Sequence, residues 1–455
     1  MKKFFQKFKK DKRGNILMFV MVFGSIAFSL IVIGVAGYAI SENSASNYKH
    51  NREMAFQIAE AGVNYYRWHL AHNKTDYKDG TNSAGPYVHV YEDKDGNPIG
   101  HYSLTITAPP NGSTVVMVQS VGWLDSQPNS KRTLKARLGF PALTDYAFLT
   151  NGDVWIGNTE SVSGKFHANG GIRFDGTGNA PITSAVPTYT CKPYHGCNNV
   201  TEPGVWGAGG PQTYWGFPAP AQDFTAVTAN LAAIKTGSQQ SGGVYISSSG
   251  KQGWRLQFLS NGTFKAYKVN TTNCYSAQDT SGNNITPCID INTLGTATTY
   301  NMPTNGYIYV EDTVWVDGTV NGRATVGVAT GKNIIINDNL LYTAKDGNHV
   351  LGLIASQNIL IPKNSPVNLE IDAALLAQNG AALRYYYSNN IKTNLIIYGS
   401  VISNGIWTWN WSNGSSIVSG YTNTNSTYDA NLTYGPPPGF PVGSVYNLIS
   451  WEEVE

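Results

Sequence analysis

One long apolar stretch stands out in the pattern of hydrophobic and polar positions along this chain. Residues 16–40 carry no charge, and about 20 apolar helical residues are enough to cross the ~30 Å core of a bilayer. The stretch is too long for the apolar core of a secretory signal peptide, which spans about 7–15 residues. We therefore predict a transmembrane helix over residues 15–40 that remains part of the chain.

The helical pattern continues beyond this stretch. No proline occurs between Ser41 and Leu70, and small or apolar residues recur there at steps of three and four: Ala55, Ile58, Ala59, Gly62, Val63, Tyr66 and Leu70. This spacing places them on one face of a helix. We expect an amphipathic helix over residues 41–78 that continues the membrane segment and packs on its own domain or on other helices.

Positive charge is concentrated in a basic leader, residues 1–14, which holds seven Lys or Arg and one Asp, although the net charge of the whole chain is only +2. A basic flank stays on the cytoplasmic side of a membrane. This predicts a single-pass protein of the cytoplasmic (inner) membrane whose C-terminal domain is extracytoplasmic. No basic stripe follows the leader, which argues against nucleic acid as a partner.

Two segments carry a family resemblance. The basic leader ends at Gly14 immediately before the apolar stretch, and residues 55–62 read AFQIAEAG. Together they resemble type IV pilin-like proteins, and PilX-type minor pilins in particular. The resemblance implies cleavage by a prepilin peptidase between Gly14 and Asn15. It also implies that the helix packs in a pilus or pseudopilus, with other pilins, pilus assembly machinery and membrane lipid as its partners.

The resemblance assigns helix packing to a short set of residues: Phe56, Ile58, Ala59, Glu60 and Gly62. The sequence departs from the major pilins at two positions. Asn15 stands where that family has an apolar residue. Phe19 stands where the family has a Glu that pairs with a neighbouring N-terminal amine during assembly. These departures keep open a static, membrane-anchored envelope protein that never enters a filament.

A small antiparallel β unit is predicted for residues 79–140. Segments 87–91 and 102–107 alternate between apolar and polar positions across a turn, and segments 115–121 and 133–138 follow as a second hairpin. The turn contains Asp93, Asp95 and Asn97, which have the spacing that begins a calcium loop, but its distal Glu is absent. We therefore predict a hairpin turn and no metal site.

The rest of the chain is predicted to be a parallel β-helix-like surface domain over residues 141–187 and 306–455. Short β-rich runs recur there between Gly, Asn and Asp turns at about 18–25 residues, which is typical of stacked coils. An antiparallel sandwich would turn about every 8–12 residues. The predicted fold is mainly β, with a long N-terminal transmembrane helix, a small pilin-like antiparallel sheet and a β-helix-like domain. The runs are 154–156, 307–310, 314–316, 333–336, 351–355, 359–361, 395–398 and 401–402.

All four cysteines lie in a segment, residues 188–305, that we predict to be an insertion into the β-helix. They are Cys191, Cys197, Cys274 and Cys288. An even number of cysteines in an exported region indicates disulfides. Of the three connectivities we favour nearest-neighbour pairing. The spacing around His195 matches no common zinc template, and we predict no cofactor.

A row of aromatic residues is the strongest binding signal. Trp407, Trp409 and Trp411 alternate, so on a strand they would share one face. Two interpretations stay open: the rings stack on a surface glycan, or they close one end of the hydrophobic core. A strap from Pro436 onward is predicted to end in a buried Trp451.

Catalysis is the competing hypothesis. Glu370 and Asp372 would share one face of a strand, and glycoside hydrolysis needs a carboxylate pair. No nucleophile elbow, phosphate loop or dinucleotide fingerprint occurs in the sequence, and we predict that the protein is not an enzyme. The predicted function is assembly or display of the β-rich domain, with adhesion as its use. A surface-tethered lyase or hydrolase is the alternative.

Overall fold

The computed structural model describes residues 12–110, 112–224, 230–413, 416–443 and 445–454. Two compact units make up this part of the chain. The anchor unit comprises residues 12–107, 117–137 and 448–454, and the solenoid unit comprises residues 108–116 and 138–447. The anchor unit contains helix α1 (Lys12–His72), and the solenoid unit contains helix α2 (Asn230–Ser238).

The strands are numbered in chain order. They are β1 (Tyr87–Glu92), β2 (Pro98–Thr107), β3 (Val115–Leu124), β4 (Gln127–Gly139), β5 (Phe148–Thr150), β6 (Val154–Ile156), β7 (Glu160–Ser163), β8 (Phe166–Ala168), β9 (Ile172–Phe174), β10 (Thr177–Gly178), β11 (Ile182–Ser184), β12 (Thr188–Cys191), β13 (Val200–Pro203), β14 (Val205–Trp206), β15 (Trp215–Gly216), β16 (Val244–Ile246), β17 (Gly253–Leu259), β18 (Thr263–Asn273), β19 (Ala277–Gln278), β20 (Asn284–Ile285), β21 (Asp290–Asn301), β22 (Tyr307–Val310), β23 (Val314–Val320), β24 (Arg323–Val328), β25 (Ile334–Tyr342), β26 (Val350–Ala355), β27 (Ile359–Leu360), β28 (Asn368–Ala377), β29 (Ala382–Leu383), β30 (Ile391–Ser403), β31 (Asn410–Ser412), β32 (Ile417–Tyr428) and β33 (Asn447–Val454).

The anchor unit is a long helix packed on a five-stranded sheet with strand order β1-β2-β3-β4-β33. β1 pairs antiparallel with β2, and β2 antiparallel with β3. The predicted combination of a long helix and a small antiparallel sheet is therefore confirmed. Helix α1 ends at His72, six residues before the predicted boundary at 78.

The C-terminal strand lies in a different unit from the one expected. Residues 306–455 were predicted to form part of the β-helix, but Asn447–Val454 form edge strand β33 of the small sheet. Its Trp451 is 55% exposed, so the prediction of a buried Trp451 is wrong. Pairing between strands more than 300 positions apart in the chain cannot be predicted from the order of hydrophobic and polar residues within either strand.

Three ladders of parallel strands form the solenoid unit. Ladder A runs β16, β22, β24, β26, β28, β30, β5, β8, β11, β15. Ladder B contains β17, β23, β25, β27 and β29, and further along β6, β9 and β14. Ladder C runs β23, β25, β28, β30, β32, β7, β10. The predicted parallel β-helix architecture is thus present, with long strands such as β28 and β30 bending from one ladder to the next.

The coils do not stack in chain order. β30 is followed in ladder A by β5, and β32 is followed in ladder C by β7. The first coil of the solenoid therefore lies directly on its last coil, in the middle of the stack. We call this contact, formed by the β30–β5 and β32–β7 pairs, the seam.

The segment 188–305 is not a single insertion, as the sequence suggested. Its strands β14, β15, β16 and β17 belong to the parallel ladders. The additions are the hairpin β12–β13 and the antiparallel strands β18 and β21, which extend from β17. Coil strands of two or three residues, such as Val205–Trp206, are too short to show a period in the sequence.

Candidate functional site: the N-terminal helix

The first part of α1 presents apolar side chains on every side. From Ile16 to Ile40 each residue is exposed, and Phe28, for example, is 69% exposed. Among the described residues, α1 alone is long and apolar enough to cross a membrane. An apolar stretch of this length without a covering partner would be unfavourable in water, because about 25 cal/mol is lost for every Å² of apolar surface left exposed. It needs lipid or other helices around it.

The predicted processing junction lies at the border of the described region. Residues 1–11 of the leader are outside the described residues, and only the helical backbone of Gly14 and Asn15 is described. Phe19, which stands where major pilins have Glu, is exposed and stacks on Phe23 with ring centroids 5.6 Å apart.

The last part of α1 has one buried face, and it is the face that the spacing predicts. Seven residues spaced by three or four are buried against the sheet: Ala55, Ile58, Ala59, Gly62, Val63, Tyr66 and Leu70. Ala59 and Val63 pack on Leu134 and Ala136 of β4. This part of the helix is therefore fixed to its own unit, whereas residues 16–50 are exposed throughout.

Glycines permit the close approach of helix and sheet. A Cβ atom at Gly62 would lie 2.8 Å from the Tyr102 ring and would overlap Ser120 Oγ. On the sheet, a Cβ at Gly122 would overlap the backbone of Ala55 and Ala59, and one at Gly100 would lie 2.7 Å from Ile58 Cδ1. Any larger residue at these positions would push the helix away from the sheet.

The five residues assigned to helix packing by resemblance separate into three groups. Ile58, Ala59 and Gly62 are buried. Phe56 is half-buried, with its ring centroid 6.0 Å from that of Trp451 and 5.7 Å from the Arg132 guanidinium. Glu60 is exposed and lies outside the buried face within the anchor unit, so its packing against other helices stays a prediction. Its position on the helix points away from the face that carries Ile58 and Ala59.

A polar cap fixes the C-terminal end of α1. Asp76 Oδ2 lies 2.9 Å from His69 Nε2, and the Asp76 carboxylate accepts hydrogen bonds from the backbone N–H groups of Lys78 and Gly80. Burial alone would raise the pKa of Asp76, but these donors outweigh it and hold the pKa below its usual value. Tyr66 Oη donates to the Asp76 carbonyl at 2.8 Å.

The tryptophan row does not form an exposed platform. Trp407 is 5% exposed and Trp409 only 1%, and both belong to the interior of the solenoid. Glycan contact by these two rings is wrong, because no ring face is accessible. They close the core at the seam, in the middle of the stack and not at its end. Trp411 is half-buried and donates from Nε1 to the Arg384 carbonyl at 3.0 Å.

The candidate catalytic carboxylates are bound to a lysine. Lys345 Nζ lies 2.9 Å from Glu370 Oε1 and 3.0 Å from Asp372 Oδ1. Burial raises the pKa of Asp372, while the Tyr342 N–H and Lys345 partly offset it. The Lys345 ammonium group bridges the two carboxyl groups and offsets one negative charge, as in a structural ion pair.

The four cysteines form two disulfides, Cys191–Cys197 and Cys274–Cys288, which is the nearest-neighbour pairing expected from the sequence. The first closes the tip of the β12–β13 hairpin. In the anchor unit, the predicted turn places Asp93 Oδ1 as acceptor for the backbone N–H groups of Asp95 and Asn97, as in a hairpin turn closed by its own side chain.

The solenoid unit contains a groove of about 480 Å³ that the sequence does not predict. Arg323 lies on its wall and donates to the carbonyls of Gly112, Gly435 and Pro436 at 2.7–2.8 Å. Burial lowers the pKa of Arg323. The guanidinium thus holds the Pro436–Pro438 strap in place, a role that an isolated arginine at the start of a strand does not reveal in sequence.

The chain has few detectable similarities to known proteins. No protein-family model matches the chain, and no curated protein matches it. Among solved structures, the crystal structure of the competence-associated pilin ComZ from Thermus thermophilus is similar over 89% of this chain and 97% of that one, with 16% sequence identity and a TM-score of 0.28. A likeness at this level carries no argument about function.

Proposed function

We propose that this protein is a membrane-anchored, pilin-like subunit that presents its β-helix outside the membrane. The observation that carries the proposal is the division of α1 into two parts. Residues 16–40 are apolar and exposed on all sides, while the face from Ala55 to Leu70 is buried against the unit's own sheet. The C-terminal part of α1 is thus fixed to the sheet of the anchor unit. Its N-terminal part needs lipid or other helices around it.

We assign the protein more specifically to the type IV pilin-like proteins because of the resemblance in the leader and in residues 55–62. A prepilin peptidase would cleave between Gly14 and Asn15, and the exposed part of α1 would pack beside equivalent helices of other pilins in a pilus or pseudopilus. The PilX-type minor pilins are the group to which we assign it. The proposal includes no catalytic step.

Adhesion is the use that we assign to the displayed domain. Since Trp407 and Trp409 are buried, a surface glycan would have to bind to other side chains. Of the three tryptophans, Trp411 is the one with an accessible ring, which lies edge-on to Tyr386 with centroids 6.0 Å apart.

Photo-crosslinking tests the proposal on the exposed face of the helix. Phe28 is replaced by the photoreactive analogue p-benzoylphenylalanine, which keeps an apolar aromatic ring at a position that is 69% exposed. Irradiation of native membranes and sheared surface filaments should give a covalent adduct with a second pilin-like chain. The matched control places the same analogue at Phe258, which is buried in the solenoid core and should give no adduct between chains.

Adducts with lipid alone, in every fraction, would contradict assembly and would identify a static membrane anchor. Recovery of the chain in the soluble fraction without any adduct would contradict the anchor as well.

A further inference from the structure

The seam contains a carboxylic acid with no charged partner. Glu160 begins β7 and is only 7% exposed. Its Oε2 accepts a hydrogen bond from the Gly157 N–H at 2.9 Å, and its Oε1 accepts one from Asn410 Nδ2 at 3.2 Å. The first contact lies within one coil. The second crosses the seam to the last coil of the chain.

The surroundings of Glu160 across the seam are polar but uncharged. Thr424 is its direct neighbour in the parallel β32–β7 pair, and Ser426 lies two residues further on the same face of β32. Both side chains are buried, and neither hydroxyl has a hydrogen-bond partner among the described residues. The indole N–H of the buried Trp409, next to Asn410, lacks a partner there too.

A buried carboxyl group with only neutral partners is stable in its protonated form, because removing a charge from water without a counter-charge costs several kcal/mol. Opening the strands around it to water would relieve the cost of the ionised form. We propose that the seam is a proton-dependent joint of the solenoid, closed while Glu160 is protonated and loosened when Glu160 ionises.

Every element packed against Glu160 contributes neutral groups. Its own turn offers the Gly157 N–H, the first residue of β31 offers the Asn410 side-chain amide, and β32 offers Thr424 and Ser426. On the following coil, Arg173 and Asp175 are paired with each other at 2.8 Å, and no charged group contributes to the shift in the pKa of Glu160. No cation is therefore placed to stabilise the carboxylate among the residues that face it.

The direction of the pH effect follows from burial. Burial raises the pKa of Glu160 from the ordinary value of 4.5 to about 7, and the hydrogen bonds from Gly157 and Asn410 offset only part of this rise. Between these two values the folded chain binds more protons than the unfolded chain. The seam is therefore most stable below pH 4.5, and this contribution is lost as the pH rises through about 7.

Hydrogen exchange of the full-length chain in detergent tests the joint. Exchange of the amides in β5, β7 and β32 is compared with that in β24 and β26 at pH 5 and pH 8.5, after correction for the intrinsic pH dependence of exchange. We expect the seam strands to open roughly 100-fold more at the higher pH, since each unit of pKa shift changes an opening equilibrium tenfold. Strands β24 and β26 should not change.

Two substitutions separate the charge of Glu160 from its other effects. Glu160→Gln keeps the acceptor oxygen and cannot ionise, so its seam exchange should be equal at the two pH values. Glu202→Gln on the β12–β13 hairpin removes the same charge elsewhere and should keep the wild-type difference. Equal protection of the wild-type seam at both pH values would overturn the proposal, and this readout needs no variant to fold. A Glu160→Gln chain that retained the pH difference would overturn it too.

Discussion

The ring of Phe148 stacks on the ring of Trp407, with centroids 4.5 Å apart and planes inclined by 18°. Phe148 begins the first coil of the solenoid and Trp407 lies in its last coil, so the contact joins the two ends of the domain in sequence. Around it, Val401 pairs with Phe148 in ladder A and Thr424 with Glu160 in ladder C. A solenoid assembled in this way cannot form by adding coils in chain order, because a non-local contact must form in its middle.

The buried tryptophans at this contact should contribute to stability and not to glycan binding. Trp409→Ala removes a fully buried ring, and we expect a loss of about 3–5 kcal/mol in the free energy of unfolding of the solenoid. Calorimetry of the full-length chain measures it, and glycan-array binding measures the second property. Tyr214→Ala, at a 40% exposed ring, is the control and should cost little. Loss of glycan binding by a Trp409→Ala protein of unchanged stability would contradict this assignment.

The glycine at position 62 should be intolerant of any side chain. Gly62→Val places atoms inside the volume of Tyr102 and Ser120, and we expect it to lower the unfolding free energy of the anchor unit by about 1–3 kcal/mol. Gly37→Ala is the matched control on the same helix, because a Cβ there meets nothing within 4 Å. Thermal unfolding in detergent compares the two. A Gly62→Val chain as stable as the Gly37→Ala chain would show that helix and sheet are not in close contact.

The two disulfides should contribute unequally to stability. The Cys274–Cys288 pair has a sequence separation of 14 and the Cys191–Cys197 pair one of 6. A cross-link that closes the longer loop removes more entropy from the unfolded chain, about 3 kcal/mol compared with about 2.4 kcal/mol for the shorter. Paired Cys→Ser variants and urea unfolding measure the difference. Free thiols in the protein purified without reductant would contradict both bonds.

Acid should loosen the C-terminal end of α1. The pKa of Asp76 is held below 3.8 by the N–H groups of Lys78 and Gly80 and by His69, which outweigh burial. A depressed carboxyl pKa gives stability that is present above the ordinary value and lost as the pH falls through the folded value. Asp76→Asn should therefore be less stable than wild type near pH 6, and the difference should shrink as the pH falls below 3.8. Thermal midpoints over this range test it, and a constant difference at every pH would contradict the assignment.

The sequence predicts those parts of the fold that are encoded locally. The buried face of α1 is visible as a three- and four-residue spacing from Ala55 to Leu70, because a helix repeats over short distances. The strand at residues 307–310 is likewise predicted with the bounds that the structure has. Hydrophobic runs bounded by turn residues identify these strands without any knowledge of their partners.

Pairing between distant segments is the part that the sequence does not predict. Nothing near Phe148 indicates that the first coil stacks on the last, and nothing near Trp451 indicates a fifth strand in the small sheet. The burial of Trp407 and Trp409 is likewise not predictable, because it depends on contacts with distant segments. The alternation of the tryptophan row shows that the rings share a face but not which face is covered, and here the core at the seam covers Trp407 and Trp409. The apolar helix of the candidate site can be predicted from the sequence. The burial of Glu160 at the seam cannot, because Glu160 is one acidic residue in an ordinary strand that contains Ser and Val.

The intact mass and N-terminal sequence of the chain recovered from its native membranes show whether a prepilin peptidase has processed it. We expect a chain that begins at Asn15 and is lighter by the mass of residues 1–14, after allowance for methylation of its new N-terminus. A membrane-bound chain that begins at Met1 would contradict processing by a prepilin peptidase and, with it, assembly through an exposed α1.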